Sequence, residues 1–157
     1  MNIMNLIFDP NKHKIFTPIN IDKYMGQVYP IARSSWEIQY MQWLDMNPNV
    51  IEWCSESIAI EYFSRVKKKK RKYYPDFIIK VRDKNGDEKI FLVEIKPYKE
   101  VIPPKISRKK STHSKIYEST TYITNCDKWN AAEKYCKKHN MIFKILTEKD
   151  LFINEKN

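Results

Sequence analysis

The chain has 157 residues, 42% of them hydrophobic and 31% charged, which is enough for one compact domain with a buried core and short for two. Its 29 Lys and Arg against 19 Asp and Glu give a net charge of +10, which favours a polyanionic partner, with nucleic acid ahead of an anionic membrane surface. No apolar run approaches the roughly 18 to 20 residues that span a bilayer, and the opening Met1 to Phe8 lacks a basic leader, so a soluble, unexported, cytoplasmic protein is expected.

In chain order, residues 1–32 carry Pro10, Pro18 and Pro30 without a sustained period, which predicts an N-terminal arm with no regular element. The rest divides into a single domain over 33–153 and a short tail at 154–157. Helical spacing begins at Ser34, which can cap with Glu37 as its capping-box partner, and stops at Asn47-Pro48. At about 100° per residue, Trp36, Tyr40, Trp43, Leu44 and Met41 share one apolar arc, and Glu37 lies inside it. A short extended piece precedes a strand over about 57–66, where Ile58, Ile60 and Tyr62 alternate with Ala59, Glu61 and Phe63. Seven of the eight residues from Arg65 to Lys72 are basic, which predicts a solvated connection rather than a strand interior.

Two further strands, about 74–82 and 89–96, are joined through Asp83-Lys84-Asn85-Gly86-Asp87, whose Asn-Gly is a hairpin signal. Residues 98 to about 115 are basic, are interrupted by Pro103-Pro104, and read as a long surface loop with at most a helical turn. A helix follows from about Asn125, with Trp129, Ala132, Tyr135 and Cys136 on one stripe and Asn140 marking its end. Met141 to Leu146 reads as a strand, and Thr147 to Leu151 as a capped terminal turn. Helix, three strands, helix and strand make an α/β domain, an α+β mixed sheet with helices on its faces.

The strand over 89–96 carries the chemistry. Phe91, Val93 and Ile95 point one way, and Ile90, Leu92, Glu94 and Lys96 the other. Whether Asp76 meets Glu94 depends on the hairpin register. A three-residue loop at Lys84 to Gly86, with Gly86 in the left-handed conformation, places Asp76 opposite Glu94, whereas a tight Asn85-Gly86 turn pairs Asp76 with Ile95. Facing carboxylates repel, and a hard divalent cation with open positions for water and phosphate relieves the conflict; oxygen donors suit Mg²⁺ or Mn²⁺ better than Zn²⁺. Lys96 stands where it could orient a bound water for attack on a phosphodiester.

Other chemistries find little support. With only Gly26 and Gly86, no Gly-rich phosphate loop exists, and no small-molecule cofactor is expected. Cys54, Cys126 and Cys136 form no CxxC pair and fall in no zinc spacing with His13, His113 and His139, so they read as reduced thiols. Structural roles compete at several positions. Glu37 can serve the capping box, Trp36, Trp43 and Trp129 fit a core better than a base-stacking platform, and a bare basic run is often only a solvated loop. The candidate DNA contacts are Arg33, Arg65, Lys67, Lys68, Lys69, Lys70, Arg71, Lys72, Arg108, Lys109 and Lys110.

Pro75-Asp76-Phe77 and Glu94-Ile95-Lys96, preceded by the helix bearing Glu37 and followed by a helix and a strand, resemble the PD-(D/E)XK, or restriction-endonuclease-like, nucleases with their α-β-β-β-α-β core. Residues 33–53, 73–77, 92–97 and 128–136 look like the branch that holds TnsA-type transposon endonuclease domains and the head-completion nucleases of tailed phages. The phage group is the closer, from about residue 20 to 151. The resemblance implies that Asp76, Glu94 and Glu37 hold Mg²⁺, with Mn²⁺ able to substitute, that Lys96 assists the attacking water, and that DNA is cleaved. It also implies action after genome packaging, beside phage portal or neck proteins, in the host cytoplasm or with the virion. A non-catalytic DNA-binding neck protein on the same fold and a recombination or repair endonuclease are the alternatives.

Overall fold

The computed structural model describes residues 14–105 and 107–151; the first part of the arm and the tail at 154–157 lie outside them. Contrary to expectation, the arm carries regular structure. Within its described part, β1 (Lys14–Ile15) and β2 (Ile31–Ala32) pair antiparallel, and a 3-10 turn spans Ile21–Lys23. The partners come from the following helix, which no local pattern could reveal. Buried Asp45 accepts the backbone N–H groups of Ile19 at 2.8 Å and Asn20 at 3.0 Å, while the Lys23 ammonium donates to the carbonyls of Asp45 and Asn47.

Helix α1 (Ser35–Met46) starts where its cap predicts. Ser34 Oγ accepts the Glu37 N–H and donates to Glu37 Oε1 at 2.8 Å, while the Arg33 N–H donates to Glu37 Oε2 at 2.9 Å. Tyr40, Met41 and Leu44 are buried, and Trp36 packs on the edge of their cluster. Trp43 corrects the expected arc: it is 49% exposed and stacks on Tyr40 at 5.6 Å. Asp45, not Trp43, is buried on the adjoining side of the helix, because the arm folds over it.

Strand β3 (Val50–Ser55) is the piece read as merely extended, and it is the first strand of the main sheet. The expected strand over 57–66 is instead β4 (Ile60–Ser64), which forms a separate hairpin with β5 (Lys69–Tyr73). The basic run is therefore turn and strand, not only connection. Arg65 to Lys68 turn the chain, with Lys68 at φ 51°, and Lys69 to Lys72 pair with β4. A lysine-rich strand forms because Ile60, Tyr62 and Tyr73 bury one face of the hairpin, and the charges also discourage edge-to-edge pairing with another chain.

Strands β6 (Phe77–Arg82) and β7 (Glu88–Ile95) follow as a hairpin, then helices α2 (Tyr98–Val101) and α3 (Thr112–Lys138), strand β8 (Ile142–Leu146) and helix α4 (Glu148–Leu151). The sheet order is β3-β6-β7-β8, antiparallel except for the parallel β7–β8 pair. Helix α3 begins at Thr112, capped by Ser111 Oγ on the Ser114 N–H, well before the expected Asn125. Its first half shows no burial stripe, Ile116 and Tyr117 being exposed, so periodicity missed it; it extends a helix whose second half is anchored in the core. Asn140 ends it at φ 53°, and the Met141 N–H returns to the Cys136 carbonyl at 2.9 Å. The terminal turn is capped as expected, with Thr147 and Asp150 hydrogen-bonded at 2.8 and 2.9 Å.

The core has two parts, one on each face of the sheet. Met41 and Leu44 of α1 pack with Val50, Trp53, Phe77, Ile79, Val93 and Ile95. On the other face Leu92 packs with Ala132 and Cys136 of α3 and with Ile60, Tyr62 and Tyr73 of the hairpin. The expected mixed α/β architecture is present, and Glu94, two residues from Leu92, faces the α3 side.

Candidate active site

The β6–β7 loop settles the register. Arg82 faces Glu88 and Phe77 faces Val93. The Asp83 N–H donates to the Asp87 carbonyl at 2.8 Å, and Gly86 has φ 88°. The loop is thus the three-residue Lys84-Asn85-Gly86, with Gly86 in a conformation that L side chains rarely adopt. One step beyond the Phe77–Val93 pair, Asp76 lies opposite Glu94.

Each carboxylate is fixed by a different part of the chain. Asp76 Oδ2 accepts the Ile95 N–H at 2.7 Å. Glu94, 2% exposed, accepts the Tyr73 hydroxyl at 2.7 Å on Oε2 and lies 3.1 Å from the Lys96 ammonium through Oε1. Burial, and after it the Glu94 charge, raise the Asp76 pKa well above the ordinary aspartate value. Burial alone would lower the Lys96 ammonium, but Glu94 and Asp76 outweigh it and its pKa is raised. The Tyr73 phenol is pushed up by burial and then by Glu94, which keeps it a donor.

Glu37 stands beside this pair rather than within it. Its charge acts on Asp76, yet its two oxygens are engaged by the cap at Arg33 and Ser34. Among the described residues, no three His, Cys, Asp or Glu side chains converge as a ready metal cluster. Asp76 and Glu94 do fit a hard cation: they are oxygen donors set opposite each other across adjacent strands, and burial together with Glu94 disfavours the charged form of Asp76, a conflict that a bound cation would relieve.

Of the expected DNA contacts, Lys67 to Lys72 are exposed on the hairpin, where Lys70 pairs with Glu61 at 3.2 Å. Arg65 joins that hairpin to α3: its Nε meets Asp127 Oδ1 at 2.6 Å and its N–H meets Oδ2 at 2.9 Å. Arg33 grips Glu56 through Nε at 2.6 Å and Nη2 at 2.9 Å, so its guanidinium is engaged with protein. Arg108 and Lys109 are exposed, whereas Lys110 pairs with Glu118 at 2.7 Å beside a groove of about 470 Å³ between α2 and the first half of α3. That groove shares no lining residue with the carboxylate pair.

Sequence reasoning missed four participants. Tyr73 is 3% exposed and holds Glu94. Lys128 places its ammonium 5.5 Å over the Tyr73 ring centroid. Glu56, at φ 43°, donates its N–H to the Asp76 carbonyl at 3.0 Å, and Asp127 holds Arg65. Only the helical period near Lys128 was a signal: at about 100° per residue Lys128 falls inside the apolar stripe, between Tyr135 and Ala132.

Two comparisons with known proteins bear on this geometry. The family model described as "TnsA-like endonuclease N terminal" matches residues 47–148, a span that includes Asp76, Glu94, Lys96 and the basic hairpin and begins after Glu37. The head completion nuclease of Enterobacteria phage T4 is 41% identical over 140 residues, covering 87% of this chain and 91% of that relative. The chain belongs to the TnsA-like endonuclease family, as a nuclease related to phage head-completion nucleases.

Proposed function

We propose that the protein is a Mg²⁺-dependent DNA endonuclease acting in phage head completion, with Asp76 and Glu94 as metal ligands and Lys96 beside the attacking water. The observation that carries the metal site is the register-imposed meeting of Asp76 and Glu94, with the Lys96 ammonium 3.1 Å from Glu94. Mn²⁺ would substitute, because it shares the preference for oxygen donors.

When bound, the ion would lower the pKa of its water and stabilise charge on the phosphate oxygens. The chain's own residues do the rest. Asp76, held by the Ile95 N–H, and Glu94, held by Tyr73, present oxygens from two strands that cannot move independently. Lys96, kept protonated by the same carboxylates, donates hydrogen bonds that orient water and phosphate. Glu37 adds negative charge from the first turn of α1. The exposed lysines of β5 and its turn attract the DNA backbone without reading its sequence.

The 41% identity to the T4 head completion nuclease supports the place of action, the packaged phage head, where portal or neck proteins would be the neighbours. The enzyme would then work in the host cytoplasm and with the assembling virion. The decisive experiment is plasmid cleavage with Mg²⁺ or Mn²⁺, comparing the wild type with Asp76→Ala and Glu94→Ala at matched DNA binding. Metal-dependent cutting that both substitutions abolish is the expected result. A wild type that binds DNA yet stays inert with either metal, on supercoiled, linear and branched DNA, would leave a non-catalytic DNA-binding protein.

A further inference from the structure

Lys128 is a cation brought to the catalytic carboxylates by tertiary structure alone. It projects from the middle of α3, next to Asp127, and its ammonium lies over the ring of the same Tyr73 whose hydroxyl binds Glu94. Two adjacent residues of one helix thus divide two tasks: Asp127 pins the hairpin turn through Arg65, and Lys128 overlies the tyrosine at the hairpin's other end.

The site's charges explain why a lysine there is notable. Burial brings the Lys128 ammonium below its ordinary lysine value; Glu94 and Asp76 oppose that fall, and Lys96 and Arg71 add to it. Lys96 already pairs with Glu94, so Lys128 is not needed to neutralise that side chain. A second cation close to two carboxylates, with Arg71 acting on it as a third, serves a purpose once a polyanion enters. Arg71 lies on the same face of β5 as Tyr73, since Tyr62 and Ile60 are their respective cross-strand partners, and Lys69, opposite Ser64, continues that face to the turn. Arg71 and Lys69 are exposed, so that face of β5 carries cations from Tyr73 toward the turn.

We propose that Lys128 contacts the scissile phosphate and links the carboxylate pair to the cationic face of β5 along which the cleaved strand runs. This rests on the nuclease function proposed above. Lys128 is then a catalytic residue in the sense that it touches substrate, while Tyr73 positions both it and Glu94. The cation acts where negative charge grows on the phosphate oxygens, and removing one such preorganised donor typically costs on the order of 10²–10³ in kcat.

The test uses Lys128→Met, which keeps the aliphatic stem over Tyr73, and Lys128→Arg, which restores the charge. Binding of the full-length protein to a short DNA duplex is measured without divalent metal across a salt series, and cleavage of the same duplex is measured with Mg²⁺. Expected are a slope of log affinity against log salt shallower by roughly 0.9 in Lys128→Met, a kcat loss of at least about tenfold, and recovery of both in Lys128→Arg. A purely structural lysine would move the melting temperature and leave the slope alone. An unchanged slope overturns the inference, and so does a kcat within about twofold of the wild type at full DNA saturation. Absence of cleavage by the wild type would instead overturn the nuclease function, and the metal-free slope would still decide whether Lys128 meets a phosphate.

Discussion

Replacing Tyr73 by Phe removes one oxygen from the protein and isolates the tie between the basic hairpin and the Glu94 carboxylate. The lost bond is 2.7 Å long, its acceptor is a carboxylate, and the two residues are 3% and 2% exposed, so bulk water does not readily replace the donor. Hydrogen bonds to charged groups contribute about 1.5–3 kcal/mol. In a chain of this length each kcal/mol moves Tm by about 2–4 °C, so Tyr73→Phe should lower Tm by about 3–12 °C in metal-free buffer. Glu94→Gln, which removes the charge, should make the second substitution cost less, and a double-mutant cycle should show that coupling. Because partners that orient a metal ligand typically matter about 10–100-fold, cleavage by Tyr73→Phe should fall within that range. Thermal unfolding by circular dichroism and a plasmid-nicking assay make the measurements. A Tm within about 1 °C of the wild type, together with additive effects in the cycle, would refute the view that Tyr73 stabilises and orients Glu94.

Asp76→Asn should abolish cleavage while stabilising the metal-free fold at neutral pH. Burial and Glu94 raise the folded-state pKa of Asp76, so the native state holds a proton that the unfolded state has released, and stability falls as pH rises from the ordinary aspartate value through the raised one. Thermal melts across that window should show a smaller decline in Asp76→Asn than in the wild type. Gln at Lys67, Lys68, Lys69 and Lys70 together should flatten the salt dependence of DNA binding by up to about 3.6 in slope, measured by fluorescence anisotropy; an unchanged slope would reduce the run to a solubility feature. Asp45→Ala strips the acceptor from the Ile19 and Asn20 N–H groups and should cost about 2–4 kcal/mol in urea unfolding. It should also increase proteolysis of the arm.

The α1 cap, the Asn140 stop, the hairpin loop and the alternation in β7 were legible because each depends on residues within a few positions of one another. Asp76, Glu94 and Lys96 were singled out by type and spacing before any contact was known, and the register sets Asp76 opposite Glu94 with Lys96 beside it. Less was legible in the arm and in the first half of α3. The arm is ordered by Asp45, more than twenty positions away, and Ile116 and Tyr117 of α3 are exposed, leaving no apolar stripe to count.

By itself the sequence determined the charge balance, the α/β pattern and the pair of strands that carry the acids, because propensity, alternation and turn chemistry act locally. It left two registers open, and the three-residue loop chose the one that sets Asp76 against Glu94. Tertiary structure alone decided that the basic run would be a β-hairpin docked on α3, that Tyr73 would reach Glu94 across 21 positions, and that Lys128 would stand over the Tyr73 ring. The physical reason is that these contacts join segments whose meeting depends on how the sheet, the hairpin and the long helix pack, and no periodicity within a segment encodes its distance from another.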